Sequence, residues 1–182
     1  DALYLGNSYG STFSSQSHLG ALVADYAGLG HIEAYAVEAG DASGGVALRT
    51  GYLAVASGEV NFAMVVGAEK SSDAIGSSRV EGRNVSLDAD FESIHGATLP
   101  ALAAMLMRRY MYEYGVELAG FEGFSINAHA NGKRNPLAMY RNIIKAGAFA
   151  KAPFVSDPVN LFDGAPDADG AAAVILAPLD WA

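Results

Sequence analysis

Val37-Glu38-Ala39-Gly40-Asp41-Ala42-Ser43-Gly44-Gly45 reads as the end of a strand, a tight turn and the start of a helix. Before it, residues 32–38 alternate Ile32, Ala34 and Ala36 with Glu33, Tyr35 and Val37, the period of a strand. After it, 42–57 contains no proline, and Gly44, Ala47, Gly51 and Ala54 line one side with nothing bulky. Another backbone can therefore lie very close, and this helix is expected to be central and buried. A strand-turn-helix junction of this kind lifts one side chain above a sheet. The first amides of the helix and its dipole favour negative charge there.

The flanking segments extend the alternation. Residues 1–7 read as a strand, and 17–28 place Leu19, Leu22, Val23 and Tyr26 at helical spacing before Gly28 and Gly30 end the run. Beyond Gly58, the run Phe62-Ala63-Met64-Val65-Val66-Gly67-Ala68 is continuously apolar, as in a parallel strand covered on both faces. The order β-α-β-α-β predicts a layered α/β fold with right-handed crossovers.

Residues 71–97 are polar, rich in Gly and Ser and poorly periodic, and read as a functional loop opening a loop or cap region over 71–130. Helices are predicted over 99–114, with Pro100 in the first turn, and over 121–130. Asn135-Pro136 and Ala152-Pro153 punctuate an irregular stretch before Phe154-Val155-Ser156-Asp157-Pro158 passes from extended chain into loop. Asp169-Gly170 is a turn signal, and 171–177 reads as an apolar strand.

With 182 residues and 51% hydrophobic content the chain can bury one substantial core, so a single domain over 1–182 is expected. A charged fraction of 17% is low enough to suggest an extensive buried interface and an oligomer. The net charge of -9 opposes binding to nucleic acid. Arg108 with Arg109 and Lys133 with Arg134 form small basic pairs, read as an anionic-ligand contact or as solvated surface.

The absence of cysteine excludes disulfides, thiolate metal sites and a thiol nucleophile within the chain. No apolar run has the length of a membrane span, and 1–20 lacks the pattern of a signal peptide, so a cytoplasmic location is expected. His18 and His31 have no metal spacing. The stretch Gly6-Asn7-Ser8-Tyr9-Gly10-Ser11 matches neither a P-loop nor a dinucleotide fingerprint, and no Gly-x-Ser-x-Gly elbow supports a serine triad.

The elbow, Val65-Val66-Gly67-Ala68-Glu69-Lys70, Arg108-Arg109-Tyr110-Met111, Asn127-Ala128-His129-Ala130-Asn131-Gly132 and Asp169-Gly170-Ala171-Ala172-Ala173-Val174 occur in one order and spacing. Together they resemble the thiolase superfamily, in particular the archaeal and bacterial branch related to lipid-transfer-protein thiolases, from end to end. The resemblance implies a thiolase-like layered fold, one α-β-α half with a mixed, mainly parallel sheet. It also implies an N-terminal half truncated at both ends, lacking its opening strand and helix.

The activity implied is that of an acyl-CoA C-acyltransferase, in thiolytic cleavage or Claisen condensation, with acyl-CoA as substrate and no cofactor beyond CoA. The implied setting is lipid metabolism, as a homodimer or tetramer, with a small zinc-ribbon, OB-fold protein as partner in some archaeal relatives. Similar proteins carry the acyl-accepting cysteine where Asp41 stands. An aspartyl anhydride is higher in energy than a thioester and readily hydrolysed, so catalysis is expected to be altered or lost.

Two readings of Asp41 stand side by side: an N-cap satisfying a helix amide, and a general base or electrostatic group. Ala165 lies in Asp163-Gly164-Ala165-Pro166-Asp167-Ala168-Asp169-Gly170, which resembles the segment lying against the CoA pantetheine. Relatives often have serine at that place. His95 falls where some thiolases have a histidine lining the acyl pocket, and is otherwise satisfied by loop backbone or solvent. His129 reads as a structural, helix-ending residue. Two further functional readings are a thiolase-like aldolase or lyase on β-hydroxyacyl-CoA, and a non-catalytic acyl-CoA-binding subunit.

Overall fold

Alternation along β1 (Ala2–Gly6) sends Ala2 and Tyr4 to one face of a sheet and Leu3 and Leu5 to the other, and all four are at most 2% exposed. A strand covered on both faces is the centre of an α/β layer. The computed structural model describes residues 1–181 and divides into two units, 1–82 with 168–181, and 83–167.

In the first unit β1 is followed by α1 (Gly10–Phe13), α2 (Leu19–Tyr26), β2 (Glu33–Val37), α3 (Ser43–Ala56) and β3 (Ala63–Glu69). The sheet is completed by the last strand of the chain, Gly170–Leu176, in the order β2, β1, β3, last strand. The pairings of β1 with β2 and β3 are parallel, and the last strand runs antiparallel to β3. The expected mixed, mainly parallel sheet is therefore present.

The two faces are covered differently. On one, Ala47 of α3 packs with Ala2, Tyr4, Val60, Ala63 and Val65. On the other, Ala24 of α2 packs with Leu3, Leu5 and Val66, flanked by Leu19 and Val23. Small residues set the spacing: a Cβ on Gly51 would stand 2.6 Å from Val65 Cγ2, and one on Gly20 2.3 Å from the carbonyl carbon of Tyr35. Tyr4 donates a hydrogen bond to Glu33 Oε1 at 3.2 Å. Burial, with the Glu33 charge adding to it, pushes its phenol up to about 12.

The sequence reading placed α3 in a central, buried setting. Its small-residue side is buried against the sheet, but Leu48, Tyr52 and Leu53 on its other side are 46%, 63% and 45% exposed in this chain.

The polar stretch 71–97, read as loop, contains α4 (Ser77–Asn84) and a 3₁₀ turn at Ser93–His95. Too few apolar residues punctuate α4 for a helical period to show in the sequence. In the second unit α5 (Leu99–Tyr114) has its predicted bounds. Thr98 Oγ1 accepts from the Ala101 amide at 3.3 Å, Pro100 sits in the first turn, and Gly115 closes the end at φ 63°.

α6 (Glu122–Gly132) follows, then the hairpin of β4 (Phe154–Ser156) and β5 (Val159–Asn160), with a cis Asp157–Pro158 bond between them. The chain then returns to the first sheet as β6 (Gly170–Leu176). Asn160, 1% exposed, organises the second unit. Its amide group donates to the Phe149 carbonyl at 3.4 Å, and its Oδ1 accepts from the Phe162 N–H at 2.8 Å. The second compact unit of the chain spans 83–167. Among the described residues no helix is long and apolar enough to cross a membrane.

Two glycine substitutions should move stability in opposite directions. Gly20→Ala forces a methyl group into the Tyr35 backbone and is expected to cost about 1–3 kcal/mol. Gly45→Ala, whose Cβ would meet open space on a helix, is expected to gain up to about 1 kcal/mol. Denaturant midpoints of the two variants and the parent provide the measurement.

Candidate functional site

The turn after β2 is closed by the side chains of Ser43, Ser8 and Glu38, the last accepting from the Gly40 amide at 2.5 Å. Gly40 adopts φ 55°, a conformation glycine takes without steric cost, and the helix begins at Ser43. Ser43 Oγ accepts from the Ala39 amide at 2.9 Å and donates to the Gly40 carbonyl at 2.6 Å. Ser8 Oγ lies 3.0 Å from Ser43 Oγ and also donates to the Gly40 carbonyl. Ser43 is 3% exposed, so these bonds are well shielded from water.

Ser8 is fixed in turn by Glu69 at the end of β3. The Glu69 carboxylate accepts from the Ser8 and Tyr9 amides at 2.9 and 3.1 Å and from Asn7 Nδ2 at 3.0 Å. Asn7 Nδ2 also donates to the Ala68 carbonyl at 2.8 Å, and Asn7 Oδ1 accepts from the Gly10 amide at 2.7 Å. The ends of β1 and β3 are thereby pinned together beside the elbow.

These strand ends, the elbow and 170–172 of β6 line an open cavity of about 430 Å³. Open α/β sheets place ligands at the carboxyl ends of their parallel strands. Asp41 is exposed on the cavity wall, and among the described residues its carboxylate makes no hydrogen bond or ion pair. The N-cap of α3 is Ala42, without a side-chain cap bond. The capping reading of Asp41 is therefore corrected: the Ser43 hydroxyl closes the turn, and the Asp41 side chain is left to the cavity. The Ser43 amide is taken by the Gly40 carbonyl at 3.1 Å, while the Gly44 and Gly45 amides have no acceptor within the helix, so this wall carries both donors and a carboxylate.

The other two sequence-derived residues lie in the second unit. His95 ends its 3₁₀ turn in an exposed position, its ring without a hydrogen bond to the described residues. Ala165, with Gly164 and Pro166, lines a cavity of about 660 Å³ whose walls include Ile143, Ile144, Val155 and Leu161. His129 also belongs to that wall: its Nδ1 is 2.9 Å from the Asn142 carbonyl, and its ring stacks on Tyr140 at 6.3 Å. The basic pairs are partly engaged within the unit, Arg108 with Asp157 and Arg109 with Glu113. Among the described residues no group of three or more His, Asp or Glu side chains could hold a metal ion.

Sequence reasoning missed Ser8, Ser43, Asn7 and Glu69. Their chemistry is ordinary, and only the register of β1 beside β3 shows that Glu69 faces the residues after Gly6.

Asp169, at the entry to β6, accepts from Ser72 Oγ and from the Ser71 and Ser72 amides. The Ser72 hydroxyl first, then the Ser71 amide, hold its carboxyl below the ordinary 3.8. A lowered folded value means that this stabilisation is present above pH 3.8 and is lost as pH falls below it. Asp169→Asn should flatten the stability-against-pH curve below pH 4 relative to the parent, as read by acid titration of the folded signal.

No family model matches the chain. It is 40% identical over 182 residues to an acetyl-CoA acetyltransferase of Methanothermobacter thermautotrophicus, covering 100% of this chain and 47% of the relative. It is 36% identical over 176 residues to an acetyl-CoA acetyltransferase of Methanocaldococcus jannaschii, covering 97% and 44%. The chain thus spans a little under half the length of these curated relatives. A solved structure described as an Ltp2-ChsH2(DUF35) aldolase shares the fold, with a TM-score of 0.76 over 99% of this chain and 45% of that one, at 21% identity.

Proposed function

We propose that this chain, which belongs to the thiolase superfamily, forms the elbow-bearing part of an enzyme that makes or breaks carbon–carbon bonds on acyl-CoA. The observation that carries the proposal is the unpartnered Asp41 carboxylate on the wall of a cavity at the strand ends, beside the first turn of α3. The curated relatives are named acetyl-CoA acetyltransferases, which supports a thioester substrate.

In this reading the thioester end of acyl-CoA enters the cavity, and the Gly44 and Gly45 amides in the first turn of α3 face the developing negative charge of its carbonyl oxygen. Asp41 stands where a nucleophile would attack. A carboxylate is a weak nucleophile towards a thioester, and the anhydride it would form favours hydrolysis over return of the acyl group to CoA. Acyl transfer through this residue is therefore altered or absent.

A second reading is retro-aldol cleavage of a β-hydroxyacyl-CoA, favoured by the aldolase description of the solved neighbour. A base removes the hydroxyl proton, the Cα–Cβ bond breaks, and its electron pair passes into the thioester enolate, which then takes up a proton. Carbonyl compound and shortened acyl-CoA leave, no acyl-enzyme forms, and a carboxylate at the elbow is compatible with the chemistry.

The exposed Leu48, Tyr52 and Leu53 on α3 support an assembled state, here a homodimer or tetramer. The two names joined in the neighbour's description support a second protein as partner, for which a small zinc-ribbon, OB-fold protein is proposed. A non-catalytic subunit that binds acyl-CoA beside an active partner would use the same cavity.

The deciding experiment measures CoA-dependent cleavage of acetoacetyl-CoA by the full-length parent protein, native and Asp41→Cys, with β-hydroxyacyl-CoA cleavage assayed alongside. Thiolysis gained only by the cysteine variant is the expected result. Thiolysis by the native protein would overturn the assignment of Asp41. Retro-aldol activity without thiolysis selects the second reading.

A further inference from the structure

We propose that Ser8 is a positioning residue for the elbow: its hydroxyl, reaching from the end of β1, fixes the Gly40 carbonyl and with it the place of the side chain at 41. The role rests on the reading of 41 as the reacting position, while the contacts behind it are independent of any substrate.

Gly40 makes the turn possible without selecting it. Its φ of 55° costs glycine nothing, but glycine takes negative φ just as readily, so the choice has to come from outside the residue. Both of its polar groups are engaged. The amide donates to Glu38 Oε1 at 2.5 Å. The carbonyl accepts from the Ser43 amide at 3.1 Å, from the Ser43 hydroxyl at 2.6 Å and from the Ser8 hydroxyl. Glu38 and Ser43 belong to the same run of chain as the turn and move with it. Ser8 lies 32 positions earlier, and of these partners it alone ties the turn to another strand. A peptide group is planar, so holding the Gly40 oxygen also sets the plane from which the backbone of Asp41 continues.

Ser8 is itself held. Its amide donates to Glu69 Oε2 at 2.9 Å, beside the Tyr9 amide at 3.1 Å, and Asn7 Nδ2 donates to the other carboxylate oxygen at 3.0 Å. Bonds to an ionised acceptor are stronger than neutral ones. The hydrogen count is then complete. Each serine hydroxyl has one proton and both protons go to the Gly40 oxygen, so the 3.0 Å between the two hydroxyl oxygens is a contact rather than a donated bond. Neither hydroxyl keeps a proton for a ligand in the cavity, and Ser8 therefore acts through the turn.

The test is made in the full-length parent protein with Asp41→Cys as the background, because a thiol reports its own surroundings. Its alkylation by iodoacetamide is followed against pH by peptide mass spectrometry. Beside the Gly44 and Gly45 amides the thiolate is favoured, and the midpoint is expected below the ordinary value of about 8.5. Adding Ser8→Ala removes the hydroxyl and keeps the amide bond to Glu69, and the midpoint should rise by about half a pH unit or more. Adding Ser8→Thr instead returns a hydroxyl and should restore it. Glu38 at the turn and Glu69 on the cavity wall are the same in all three proteins, so their charges drop out of the comparison.

A role confined to stability would lower the denaturant midpoint and leave the alkylation midpoint in place, and a direct contact with substrate would raise KM alone. An alkylation midpoint unchanged by Ser8→Ala overturns the proposal. So does a midpoint in Ser8→Thr equal to that in Ser8→Ala, or an ordinary midpoint in Asp41→Cys by itself. Alkylation needs no CoA, which separates this result from the fate of the functional reading. A shifted midpoint in a protein whose Asp41→Cys form cleaves no acetoacetyl-CoA sustains the positioning role and counts against acyl-CoA chemistry.

Discussion

The close approach of β1 to the first turn of α3 is the constraint on which the elbow depends. A Cβ on Gly6 would stand 2.7 Å from Gly44 Cα and from the Ser43 carbonyl oxygen, so strand end and helix start meet backbone to backbone. With no side chain between them, Ser8 reaches the Gly40 carbonyl and Ser43 shields the turn. A side chain at Gly6 would push the helix start away from the strand ends. It would also separate the hydroxyls that hold the left-handed turn.

That constraint also explains what the sequence could reveal. The alternation of 32–38, the apolar run from Phe62 and the small-residue stripe of α3 are local patterns with a direct physical reading, and each became the expected element. Pro100 marked the first turn of α5 for the same reason. α4 was illegible because its few apolar residues leave no period to follow. The exposed side of α3 was misjudged because small residues declare close packing on their own side and say nothing about the opposite one.

The site divides along the same line. Asp41 could be singled out from sequence because the elbow is a contiguous string, and Ala165 because it lies in another. The Glu69 carboxylate and the His129 imidazole gain their roles from residues 61 and 13 positions away, through contacts that only folding creates. Asp41 was expected to be either a cap or a chemical group. The nearby serine satisfies the turn and leaves the carboxylate without structural employment, a choice between readings that one-dimensional pattern could not make.

The clamp between Asp169 and the amides of Ser71 and Ser72 has a consequence for how such a protein can diversify. The chain leaves the first sheet after β3 and returns to it as β6, and the clamp sits across those two crossing points. Residues 83–167 are thus hung on a closed pair of stems. Their length and composition can drift at a small entropic cost for each added residue, while the pairing of β6 with β3 holds the stems in register. The architecture separates a sheet-based frame from a tethered insert, so new binding preferences can arise by rewriting the insert without refolding the frame.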